Sequence, residues 1–140
     1  MPYTFAIEPN ATPDDISAVN EGLSQYNQKF ASAEGGGPIN IILRDEQGAV
    51  AGGLLAYCWW GWIHIDIVWL TEAVRRQDYG TRMLEMAEQE AVRRGCHHAN
   101  LQTTSFQALP FYLKRGYTVW GQLDDFPIGH SQYFLKKALP

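Results

Sequence analysis

Apolar and polar side chains alternate over residues 3–8 closely enough to predict a strand, and Pro9-Asn10-Ala11 ends it. Thr12-Pro13-Asp14-Asp15 then supplies a helix N-cap, a proline at the first helical position and acids in the first turn. Ile16, Val19, Leu23, Tyr26 and Phe30 follow at helical spacing, so an amphipathic helix is expected. Residues 31–38, with Gly35-Gly36-Gly37, form a flexible connection without the Lys-Ser/Thr ending of a nucleotide P-loop. Segments 39–44 and 49–60 flank the turn cluster Asp45-Glu46-Gln47-Gly48, predicting an antiparallel hairpin in which Gly52 and Gly53 mark a bulge or bend. After Gly61 a third strand, 62–69, is expected to place Ile63, Ile65 and Ile67 on one face and His64, Asp66 and Val68 on the other.

The period then changes. Residues 80–94 carry Met83, Leu84, Ala87 and Ala91 as an apolar stripe with Gly95 as a stop, predicting a helix. A short strand at 99–103 follows. Pro110 opens a helix that carries Phe111, Tyr112 and Leu113 and ends at Gly116. Strands 117–123 and 130–136 close the chain around the loop 124–129. A meander followed by a strand-helix-strand crossover requires both antiparallel and parallel pairing. The expected fold class is therefore α/β with mixed character: a central mixed sheet of six to seven strands flanked by helices on both faces.

At 140 residues and 46% hydrophobic, the chain fits one domain spanning 1–140. The net charge of −4 argues against a nucleic-acid partner and suits a cationic substrate. Cys58 and Cys96 suggest no disulfide framework, and a reducing compartment follows. No stretch approaches the roughly 18 apolar residues of a membrane span, and the first residues lack a basic leader, so a soluble cytoplasmic protein without membrane partners is expected. Cys96, His97 and His98 are adjacent and cannot close a tetrahedral site, so no metal is expected.

The chemistry concentrates between Ile63 and Thr81, where a strand enters a short basic turn and then a helix. That order points backbone N–H groups and positive charge at one spot, which suits phosphate. Arg75-Arg76-Gln77-Asp78-Tyr79-Gly80 resembles the Gln/Arg-x-x-Gly-x-Gly/Ala signature of the GNAT acetyltransferases, with Asp78 where the middle glycine is customary. Gln107-Ala108-Leu109-Pro110-Phe111-Tyr112-Leu113-Lys114-Arg115-Gly116-Tyr117 resembles the later Ala-x-x-Phe-Tyr-x-x-x-Gly-Phe/Tyr segment of that family.

The resemblance implies a GNAT-like fold and transfer of an acetyl group from acetyl-CoA, as co-substrate, to the primary amine of a small molecule within a ternary complex. It places the pyrophosphate on Arg75, Arg76, Gln77, Asp78, Tyr79, Gly80 and Thr81, and the pantetheine arm along Val68, Trp69 and Leu70. The Leu70 N–H would polarise the thioester carbonyl. Ser105 stands where relatives carry an asparagine that bonds the same arm. Tyr112 takes the position of a general acid, and His64 that of a base carried by the strand. Asp66, two residues on, is the candidate to orient His64. Tyr26, the run Trp59-Trp60-Gly61-Trp62 and the Asp124-Asp125-Phe126 loop offer aromatic faces and carboxylates to a cationic amine, although strand tryptophans equally serve as packing. The alternatives are a non-catalytic CoA-binding or regulatory module of the same fold and a protein or peptide N-acetyltransferase. A homodimer is compatible with the resemblance, but no interface signal stands in the sequence itself.

Overall fold

The computed structural model describes residues 2–140. The chain divides into two compact units, Met1–Ala33 and Glu34–Pro140. In the first, helix α1 spans Pro13–Asn27. Its cap is the expected one: the Thr12 hydroxyl accepts from the Asp15 N–H at 3.1 Å, with Pro13 at the start and Asp14 and Asp15 in the first turn. The strand expected over residues 3–8 does not form. Alternation prepares a segment for pairing, but a strand exists only where a neighbour completes its hydrogen bonds, and none does so here.

The second unit holds a six-stranded sheet: β1 (Gly37–Arg44), β2 (Val50–Trp59), β3 (Trp62–Leu70), β4 (His98–Thr104), β5 (Thr118–Asp124) and β6 (Ser131–Ala138). The spatial order is β1-β2-β3-β4-β6-β5. β3 and β4 run parallel, and every other neighbouring pair is antiparallel. Helix α2 (Tyr79–Arg93) makes the crossover between the parallel strands, and the short α3 (Leu109–Leu113) follows β4. The mixed sheet thus follows the expected element order.

The core lies where the buried stripe of α2 (Met83, Leu84, Ala87 and Ala91) meets Leu54, Ala56 and Cys58 of β2 and Ile63 and Ile65 of β3. Tyr117, Leu101 and Leu135 extend it towards β4 and β6. Such burial contributes roughly 1.5–3 kcal/mol per large aliphatic side chain.

Two local devices shape the third strand. A Cβ on Gly52 would lie 2.6 Å from the Trp69 carbonyl oxygen, so only glycine lets β2 approach the end of β3 this closely. The register shift between β1 and β2 falls beside it, between Leu43 and Arg44. A second shift corrects the expected facing of β3. Ile65 pairs with Ala56 and Ile67 with Leu55, which leaves Asp66 as an extra, unpaired residue. A bulge resets the pleat, so inward facing passes from Ile63 and Ile65 to Val68 and Leu70. Ile67 consequently stands exposed instead of joining the core face.

Candidate active site

The parallel pairing of β3 with β4 lasts only from Trp62 opposite His98 to Ile65 opposite Leu101. Beyond it the two strands part, beginning at the Asp66 bulge. The opening is a cavity of about 670 Å³, lined on one side by Asp66, Val68, Trp69 and Leu70 and on the other by Gln102, Thr103, Phe106 and Gln107. Gly80 of α2 and Phe111 and Tyr112 of α3 complete the wall, with Arg75 at its edge. β3 past Ile65 therefore has a pairing partner on its β2 side and a cavity on the other. An extended ligand carrying amides fits such a half-satisfied edge.

A turn leads from β3 into α2. Residues Glu72–Val74 form one 3-10 turn, and the Arg75 Nε donates to the Leu70 carbonyl at 3.0 Å, clamping the end of the strand. Arg76 and Asp78 then take left-handed conformations, with φ of 65° and 63°. Asp78 thus adopts the backbone conformation that glycine favours, and aspartate is among the side chains that tolerate it best. Its carboxylate makes no capping bond to the helix. From Arg76 through Thr81 the backbone N–H groups have no acceptor among the described residues, and the first helical bond runs from the Arg82 N–H to the Asp78 carbonyl. This run of unpaired donors at a helix start fits a pyrophosphate, supported by the helix dipole.

The expected residues divide by place. Asp66, Val68, Trp69, Leu70, Arg75, Gly80 and Tyr112 line the cavity. Arg76, Gln77, Asp78, Tyr79 and Thr81 form or flank the run of open amides, with the Gln77 side chain donating to the Ala73 carbonyl at 3.2 Å. Ser105 turns elsewhere: its hydroxyl accepts from the Ser131 N–H at 3.1 Å and meets His130 Nδ1 at 3.2 Å. His64 stands near the end of the parallel ladder, and its Nδ1 lies 2.6 Å from the Asn100 amide oxygen. Among the described residues it has no ion pair with Asp66. Gln102, Thr103, Phe106, Gln107 and Phe111 were not among the expected site residues. Phe111 and Gln107 lie within the quoted motif and could have been found there, whereas Gln102 and Thr103 enter only because the strands diverge.

Tyr112 is buried, with a ring packed edge-on against Phe111 and Tyr117 at 5.1 and 5.8 Å. Burial pushes its phenol up to about 12, so it remains protonated through the neutral range. The Cys58 thiol is also pushed up to about 12, first by burial and then by its hydrogen bond with Cys96. Both cysteines are buried, and Cys58 at neutral pH is a thiol, a poor nucleophile. Neither cysteine lines the cavity. Among the described residues, no cluster of His, Cys, Asp and Glu could hold a metal ion and no helix is long and apolar enough to cross a membrane.

Parted parallel strands thus stand beside a helix start with open amides, with a cavity between them. The profile of the acetyltransferase (GNAT) family matches residues 5–117, and the chain belongs to that family. It is 31% identical over 133 residues to an acetyltransferase of Agrobacterium fabrum, covering 95% of this chain and 97% of that one. It is 35% identical over 95 residues to the blasticidin-S acetyltransferase of Streptomyces morookaense, covering 67% of this chain and 70% of the relative. A crystal structure of an acetyltransferase from Bacillus cereus ATCC 14579 matches with a TM-score of 0.84 at 33% identity, covering 96% of this chain and 98% of the other. The protein is thus an acetyltransferase by family, and acetyl-CoA is the co-substrate that the family uses.

Proposed function

We propose that this chain is one catalytic domain, 1–140, that acetylates the primary amine of a small molecule by direct transfer. The run of open amides from Arg76 to Thr81, next to a cavity on the unpaired side of β3, carries the reading. Acetyl-CoA brings the acetyl group already activated as a thioester. The open amides and the start of α2 hold its pyrophosphate, the β3 backbone from Val68 to Leu70 pairs with the pantetheine amides, and the Leu70 N–H faces the thioester carbonyl.

Amine attack requires a neutral amine and a sulfur that can leave. His64, one ladder pair before β3 and β4 part, accepts the ammonium proton at Nε2, directly or through water. Tyr112 donates its hydroxyl proton in a hydrogen bond to the sulfur as negative charge develops there. Asp66, exposed at the cavity wall, offers a carboxylate to the cationic amine rather than to His64. The relative named for blasticidin S supports a small-molecule acceptor, as does the acidic net charge for a cationic one.

Release of free coenzyme A, followed across amines, polyamines, aminoglycosides, amino acids and peptides, tests the acceptor class. The expected result is turnover with one group of small amines and little with peptides. Turnover confined to peptides would replace this acceptor assignment, and absence of any calorimetric signal at millimolar acetyl-CoA would remove the cradle.

A further inference from the structure

His64 and Asn100 occupy paired positions on the parallel strands β3 and β4, one pair before the ladder ends at Ile65 and Leu101. Both are half-buried, and Asp66 bulges immediately after them. We propose that Asn100 is a positioning residue: its amide oxygen, 2.6 Å from His64 Nδ1, holds the imidazole as the Nδ1–H tautomer and leaves Nε2 as the proton-accepting atom. This rests on the base role given to His64 above.

The hydrogen inventory of the two side chains fixes the tautomer. A neutral imidazole carries one proton on its two nitrogens, and an amide oxygen can only accept. The nitrogen facing that oxygen therefore holds the proton, and the lone pair is left at the other end of the ring. The Nε2 makes no hydrogen bond among the described residues, so it is free to meet an amine or a water. Pairing across the two strands also fixes where the ring stands, because both partners sit on backbone ladders rather than loops.

An amide suits the task better than a carboxylate. A carboxylate at Nδ1 would favour the imidazolium and keep the base occupied, whereas a neutral amide orients the ring without adding charge. The remaining groups facing this pair are Tyr57, opposite His64 on β2, His98 on β4, Lys136, opposite Asn100 on β6, and Asp66 on β3 itself. None of these forms a hydrogen bond or ion pair with the His64 ring.

The test joins nitrogen-15 NMR of the His64 ring to rate measurements on wild type, Asn100→Ala, Asn100→Asp and His64→Ala. In wild type the ring should read as Nδ1–H. Asn100→Ala should mix the tautomers and lower kcat about 10-fold while KM for acetyl-CoA stays unchanged, a part of the 10²–10⁴ that a general base contributes. Asn100→Asp should restore the Nδ1–H tautomer and move the acidic limb of the rate profile up by about one pH unit. It also covers the case in which the alanine variant does not fold.

A wild-type ring in the Nε2–H form, or a tautomer indifferent to Asn100→Ala, overturns the positioning role, while the rate of His64→Ala still judges the base. A tautomer that follows Asn100 alongside wild-type rates in both Asn100→Ala and His64→Ala overturns the base assignment and the catalytic consequence with it.

Discussion

The Arg115 guanidinium donates to the Thr81 hydroxyl through both Nε and a terminal nitrogen, and so ties the end of α3 to the first turn of α2. It also lies 3.8 Å from the centroid of the Phe111 ring and donates to the Phe111 carbonyl at 2.8 Å. No carboxylate pairs with it among the described residues, so its charge remains directed at the helix start. The fork braces the two elements and brings a positive charge to the start of α2. Arg115→Ala is expected to weaken acetyl-CoA binding by roughly 5-fold and to lower stability by about 1–2 kcal/mol. Arg115→Lys should recover little of either, because an ammonium cannot reproduce the planar fork. Calorimetric titration and denaturant unfolding measure the two effects, and an unchanged Kd would confine Arg115 to the brace.

Asp78 combines a left-handed backbone with a carboxylate beside the open amides. Asp78→Gly removes the conformational cost and the charge together, and should tighten acetyl-CoA binding by roughly 5-fold, or about 1 kcal/mol. Asp78→Asn separates the causes, since it keeps the backbone tolerance while neutralising the side chain. Similar Kd values for asparagine and glycine would identify charge as the larger cause, whereas a wild-type Kd for both would show that the carboxylate turns away from the ligand.

Tyr112 is expected to act on the leaving sulfur rather than on affinity. Tyr112→Phe keeps the ring contacts with Phe111 and Tyr117 and removes only the hydroxyl. It should therefore lower kcat by roughly 10- to 100-fold with a nearly constant KM for acetyl-CoA. Because burial holds the phenol near 12, the wild-type rate should show no decline from its ionisation below about pH 10. Steady-state kinetics across pH decide this, and a full-rate phenylalanine variant would end the acid assignment.

Alkaline stability should fall for a related reason. Tyr117 is buried, with its hydroxyl donating to Glu88 at 2.8 Å, and its phenol is pushed upward, first by burial and then by the charge of Glu88. The folded state thus retains a proton that the unfolded chain releases above its ordinary value near 10. The stabilisation is fully present below that pH and is lost progressively as pH rises above it. Denaturant midpoints from pH 8 to 11 should decline more steeply in wild type than in Tyr117→Phe. Parallel slopes would place the alkaline sensitivity elsewhere.

Much of the architecture was legible because it depends on local chemistry. Thr12-Pro13-Asp14-Asp15 contains its own cap, and the stripe Met83, Leu84, Ala87 and Ala91 defines one face of a helix regardless of what covers it. The strand-turn-helix order around Arg75 to Gly80 likewise carried the run of open amides, since a helix start brings its own unpaired donors. The alternation over residues 3–8 misled for the opposite reason: it describes readiness to pair, and pairing needs a partner strand that local sequence does not name.

The site shows the same division. Tyr112 and Gly80 could be found from a motif, but the partner of His64 could not. Sequence proximity suggested Asp66, and the fold supplied Asn100, which is 36 residues away in the chain and adjacent across a parallel ladder. The bulge at Asp66 was hidden too, because one unpaired residue reverses the facing of all that follow it while leaving the alternation of residue types unchanged. The amino-acid sequence alone determined the helices, the meander and the crossover turn, whose causes lie within a few residues of one another. Only the tertiary structure decided where β3 and β4 part and which side chains meet at that point, because register and divergence between distant strands are properties of the assembled sheet.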